Sequence, residues 1–109
     1  MNFSSELLKG STKNLILATL VTTERYGYEI VKIISDTSED IIKLGEGSLY
    51  PALHELEKSG FLTSRWVSQG GAPDRKYYKL TKKGKKSLDQ AVSEWRVFSK
   101  AVNQIYALI

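Results

Sequence analysis

The sequence predicts an α+β fold, mostly α: a winged helix-turn-helix followed by a long C-terminal dimerisation helix. Three observations carry this. Apolar residues recur at helical spacing through the first half of the chain. The period then changes from 3.6 to 2 just after Gly60, and a heptad pattern runs through the last quarter. At 109 residues the chain suits one core.

The first helix is expected from Ser5 to Thr22, where Leu7, Leu8, Leu15, Ile16, Leu17, Leu20 and Val21 recur at helical spacing and Gly10 is a weak point. Thr22–Arg25 reads as a short link. A second helix starts at Gly27, with Ile30, Ile33 and Ile34 as its apolar stripe, and the acidic stretch from Asp36 to Glu46 reads as a connector. The third helix opens at Gly47-Ser48, with Pro51 expected in its first turn and Gly60 as its stop. Leu49, Leu53 and Leu56 fall on one face. The other presents Ser48, Pro51, His54, Glu55 and Lys58, with Tyr50 at its shoulder.

Residues 61–68 (FLTSRWVS) and 76–80 (KYYKL) are β-prone runs joined by the turn-forming QGGAPDR, which makes a hairpin. Thr81 caps a final helix running to the C-terminus. Leu88, Trp95, Val102 and Ile109 are spaced by seven, with Ala91, Phe98 and Ile105 between them, a coiled-coil-like seam. Such a helix would overhang its own domain, and the simplest partner for its seam is a second copy in two-fold symmetry. We therefore expect residues 1–80 to form the DNA-binding domain and 81–109 the dimerisation helix.

Charge is concentrated. The net charge is +4, yet residues 62–88 carry +7 through Arg65, Arg75, Lys76, Lys79, Lys82, Lys83, Lys85 and Lys86 against Asp74, leaving −3 elsewhere. A recognition-type helix followed by a basic hairpin is the winged helix-turn-helix layout, in which the third helix enters the major groove of double-stranded DNA. Ser48 and Tyr50 are expected to meet phosphates, Pro51 and Ala52 to offer apolar surface to thymine methyls, and His54 to reach a base edge. Arg75, Lys76 and Lys79 would supply salt-dependent phosphate contacts. Glu55 and Glu57 would repel phosphate, which limits groove entry to the first half of the helix. Bland readings stand beside these: Tyr50 packing on the hairpin, His54 as plain surface, and the lysines at 82–86 as a solvated helix start.

The segments ELLKGSTKNLILATL, YGYEI, EGSLYPALHELEKSGFL and GAPDRKYYKLTKKG, followed by a helix containing EW, cover nearly the whole chain. In these the chain resembles the PadR family of bacterial transcriptional regulators, in its small subfamily with a single C-terminal helix. The resemblance implies a homodimeric repressor on a two-fold operator, with Tyr50 and the Arg75–Lys76 wing on DNA. It also implies similarity to a multidrug-sensing member whose dimer has a central pore. There, paired tryptophans sandwich a planar hydrophobic small-molecule inducer. Trp95 matches that tryptophan, and Leu7, Gly10 and Asn14 border the same place. Trp95 and Phe98 as simple fillers of the dimer seam remain the alternative, since Phe98 is large enough to plug such a pore.

Other classes are limited by inventory. With no cysteine and only His54, the chain offers no thiol, no cofactor or metal cluster and no acid–base site with a nucleophile, so no enzyme is expected. No apolar run suits a membrane span and no signal peptide is read, so a cytoplasmic location without membrane contact is expected. A winged-helix protein–protein interaction module, controlled by a partner protein rather than a ligand, is the competing reading.

Overall fold

The computed structural model describes residues 3–109, so the first two positions of the span 1–80 lie outside the described residues. The elements are α1 (Ser5–Lys9), α2 (Thr12–Thr19), β1 (Arg25–Tyr26), α3 (Gly27–Thr37), α4 (Glu46–Lys58), β2 (Leu62–Val67), β3 (Arg75–Leu80) and α5 (Lys82–Tyr106). Mostly helical, with one small antiparallel sheet and a long last helix, this is the expected fold class.

The core lies where α2, α3 and α4 meet the sheet. Ile16, Leu17, Ile30, Leu49, Leu53 and Leu62 are essentially inaccessible, with Leu20, Ile34, Leu56 and Tyr78 close behind. These are the helical stripes expected from spacing, because a helix with one apolar face removes that face from water by packing it.

The expected first helix is interrupted. Ser11 N–H bonds to Leu8 O three residues back, while the Ser11 and Thr12 hydroxyls donate to Leu7 O and Leu8 O. Side-chain donors on the preceding turn compete with the regular ladder, and with Gly10 beside them they divide the helix into α1 and α2.

Arg25, expected to end a link, forms with Tyr26 an edge strand instead, pairing Arg25 with Tyr78 and Tyr26 with Tyr77. The sheet order is therefore β1-β3-β2. A two-residue strand carries no alternating pattern, so only its tertiary partner defines it.

In α4, Pro51 is the sixth residue, not a first-turn residue. Its missing N–H leaves the carbonyl of Gly47 without the usual helical donor. The helix begins at Glu46, one residue before the glycine-serine pair, because Gly45 is the extended cap and its carbonyl accepts from both Ser48 and Leu49 N–H.

Helix α5 ends at Tyr106 rather than at the C-terminus. Its 25 residues correspond to ~37 Å at 1.5 Å per residue. It extends the chain to 59 Å in a body whose other dimensions are 31 and 21 Å.

Candidate nucleic-acid interface

Helix α4 is divided lengthwise. Leu49, Ala52, Leu53 and Leu56 face the core, whereas Ser48, Tyr50, Pro51, His54, Glu55 and Lys58 are exposed. Ala52 is 7% exposed, so its methyl is occupied by the core and is unavailable to a thymine. Its place next to Leu53 in sequence puts it on the buried stripe. Tyr50 is half exposed. Its hydroxyl lies over Gly27 at the start of α3, where a Cβ would be 3.0 Å away. Gly27 thus makes room for Tyr50, fixing the phenol at the junction of the two helices.

The carboxylates expected to repel phosphate are both engaged. Glu55 pairs with Lys13 of α2, and that ammonium holds its carboxyl below the usual carboxylate range. Glu57 accepts from the Ser64 hydroxyl and has Lys76 Nζ at 3.6 Å. Lys13 lies far from α4 in the chain and Ser64 on the strand that follows it, so neither neighbour shows in the helical spacing of α4.

The wing cations are less uniform than the +7 suggests. Lys76 is partly exposed and leans towards Glu57, with its ammonium 5.8 Å from the Trp66 ring and 5.6 Å from that of Tyr78, so a phosphate contact by it would compete with that pair. Arg65 is bound by Glu24, whose carboxyl is lowered by that guanidinium. Arg75 and Lys79 point to the other face and are exposed. Arg75 rests 4.4 Å from the centroid of Tyr26. The lysines at the head of α5, set against the positive end of its dipole, are partly answered within the chain. Lys83 Nζ donates to Ser59 O at 2.9 Å, at the C-terminal end of α4, and Lys85 pairs with Asp89.

Behind this surface, α1, α2 and α5 line an open pocket of about 720 Å³. Trp95, Phe98, Leu7, Gly10 and Asn14 all line it, joined by residues the sequence did not single out, among them Leu8, Leu15 and Ile42. Glu94 is the one ionisable side chain among its described lining residues. Leu88 is 4% exposed and belongs to the core of its own chain, so it is withdrawn from the expected seam. Ala91 and Val102 are half-buried, while Trp95 (57%), Phe98 (63%), Ile105 (62%) and Ile109 remain exposed. Among the described residues no cluster of His, Cys, Asp or Glu could hold a metal ion, and no helix is long and apolar enough to cross a membrane.

A core-bound helix pair, α3 and α4, followed by a basic two-stranded wing defines a winged helix-turn-helix protein. The chain belongs to the PadR-like family of transcriptional regulators, whose sequence profile matches residues 16–90. It is similar to the structure of a transcriptional regulator from Clostridium thermocellum, with TM-score 0.85 and 32% identity over 94% of this chain and 97% of that one. An uncharacterised protein of Lysinibacillus sphaericus is 36% identical over 93 residues, 84% of each chain. The negative transcriptional regulator PadR of Bacillus subtilis is 33% identical over 76 residues, 70% of this chain but 42% of that protein. The family is one of transcription regulators, not enzymes. Helix α1 and most of α5, which carry the cavity, lie outside the profile match.

Proposed function

We propose that this regulator is a cytoplasmic homodimer that binds a two-fold operator in double-stranded DNA as a repressor, relieved by a planar hydrophobic ligand. The carrying observation is the lengthwise division of α4. Its buried leucines anchor the helix, while Ser48, Tyr50, Pro51 and His54 stand free beside the exposed Arg75 and Lys79 of the wing. Engagement of Glu55 and Glu57 by Lys13, Ser64 and Lys76 lessens the repulsion the helix would otherwise offer a phosphate backbone. Repression, rather than activation, is supported by the negative regulator among the relatives.

In this reading residues 1–80 carry the DNA contacts and 81–109 the dimer contacts, with Gly84 and Leu88 joining the two. The exposed Trp95, Phe98, Ile105 and Ile109 meet their symmetry mates. Two recognition helices must then lie about 34 Å apart to enter successive major grooves. A ligand relieves repression only by preferring a different spacing of the two heads.

Electrophoretic titration with a duplex from the promoter of its own gene, repeated across salt, tests the DNA reading. A shift that weakens steeply with salt is expected. No shift at any salt overturns it in favour of a partner-controlled protein-interaction module. Tyr50→Ala is expected to weaken operator binding by about tenfold while leaving the dimer intact, the scale of one lost charge-assisted contact. Undiminished affinity would make Tyr50 a packing residue only.

The cavity volume falls within the range of small-molecule sites, and its walls are largely apolar with an indole for stacking. Trp95→Ala is expected to abolish binding of a planar dye, read by loss of tryptophan quenching and by dye polarisation. Unchanged dye polarisation would place the ligand elsewhere.

A further inference from the structure

On β3 the side chains alternate. Lys76, Tyr78 and Leu80 face α4 and the core, and Arg75, Tyr77 and Lys79 face outward. Tyr26 of β1 pairs with Tyr77, their rings 5.4 Å apart in an edge-to-face arrangement. Arg75 is the diagonal neighbour in this register, two residues from Tyr77, and its guanidinium carbon lies 4.4 Å from the Tyr26 centroid. Among the described residues no carboxylate lies within ion-pair distance of Arg75, whereas Arg65 has Glu24 and Lys76 has Glu57. A ring thus holds this guanidinium where acids hold Arg65 and Lys76, so its full charge is kept for an anion.

Tyr26 itself is fixed twice. It is paired to β3, and its N–H donates to Glu29 Oε1 at 3.2 Å at the start of α3. The stack therefore links the base of the glycine-rich hairpin turn to the helix pair. A stacked guanidinium has given up part of its rotamer freedom before a ligand arrives, which reduces the ordering cost of binding.

We propose that Tyr26 is a positioning residue for DNA binding: its ring holds the Arg75 guanidinium in register with α4, so that wing and recognition helix meet one phosphate backbone. This rests on the DNA-binding reading above. A leucine in place of the ring cannot attract the guanidinium through a π face, and a lysine in place of the arginine keeps the charge but offers only a compact ammonium to the ring.

The test is the salt dependence of binding to the promoter duplex. Arg75→Gln is expected to weaken binding by about tenfold and to lower the slope of log K against log salt by about 0.9 per protomer. Tyr26→Leu is expected to reproduce most of that change, Tyr26→Phe to bind like the wild type, and Arg75→Lys, which keeps the charge, to fall between the wild type and Arg75→Gln. The double variant Tyr26→Leu/Arg75→Gln should match Arg75→Gln within about twofold, as residues acting through one contact do. A wild-type slope in Tyr26→Leu, or a double variant that loses the product of both effects, overturns the inference. Because Arg75 is exposed at the strand end, undiminished binding by Arg75→Gln also overturns it, even if Tyr26→Leu fails to fold.

The stack can be read without DNA. Ring current should shift the Arg75 δ-methylene protons upfield in the wild type and Tyr26→Phe, but not in Tyr26→Leu. Absence of that shift sinks this inference alone, whereas a wild type that ignores DNA at every salt sinks the DNA reading.

Discussion

Gly84→Ala is expected to destabilise the protein by about 2–3 kcal/mol, roughly 10–15 °C in Tm, although alanine is the better helix former. The gain in helix propensity is only ~1 kcal/mol. Against it stands a steric conflict that flexible side chains cannot relieve. A Cβ at Gly84 would sit deep inside van der Waals contact with Phe61 O, 2.8 Å from Leu80 Cδ1 and 3.0 Å from the Phe61 carbonyl carbon. That carbonyl accepts from Thr81 N–H at 3.1 Å, while the Thr81 hydroxyl donates to Gly60 O at 2.7 Å. Moving the backbone to admit a methyl would therefore disturb the junction of α4, β2 and α5. Gly47→Ala is the control: no atom lies within 4 Å of its Cβ position, and a small gain in stability is expected. Thermal unfolding of both variants at one protomer concentration checks this, since association shifts apparent stability. Equal Tm values would mean that α5 docks differently from the geometry described.

Ile105→Glu is expected to split the proposed dimer and lower operator affinity by about a hundredfold or more, the usual scale when a bivalent contact becomes monovalent. Ile105 is exposed and lies outside the cavity lining, so its loss should disturb neither the core nor the ligand site. In a two-fold seam one substitution places a carboxylate on each protomer's side of the interface, and burying unpaired charges is strongly unfavourable. Sedimentation velocity should show a species of half the mass, with unchanged helical signal. A variant that stays dimeric would move the interface away from this level of α5.

The sequence was most legible where a pattern had only one way to be satisfied. Apolar stripes on α2, α3 and α4 became the core, since a stripe of leucines and isoleucines has nowhere else to go. Trp95, Leu7, Gly10 and Asn14 line one pocket, and Phe98, which the sequence offered as a residue that could plug it, lines it with them. It was least legible where the deciding group came from elsewhere in the chain. Leu88 fits the heptad as well as Trp95 does, yet the core takes it because α5 crosses α2 at that level. Lys76 and Arg75 are adjacent and alike in sequence. Strand alternation sends one inward to Glu57 and the other outward onto Tyr26.

The concentration of charge after residue 62, the succession of helices and hairpin, and the heptad in the last helix follow from the chain alone, because each is a local or periodic property. Which cations are free is a different matter. That depends on Glu24, Glu57 and Asp89 being folded against Arg65, Lys76 and Lys85, and on a two-residue strand that exists only through its pairing with β3. Charge and periodicity are sums over residues, whereas availability is a relation between residues distant in sequence. Only the tertiary structure settles such relations.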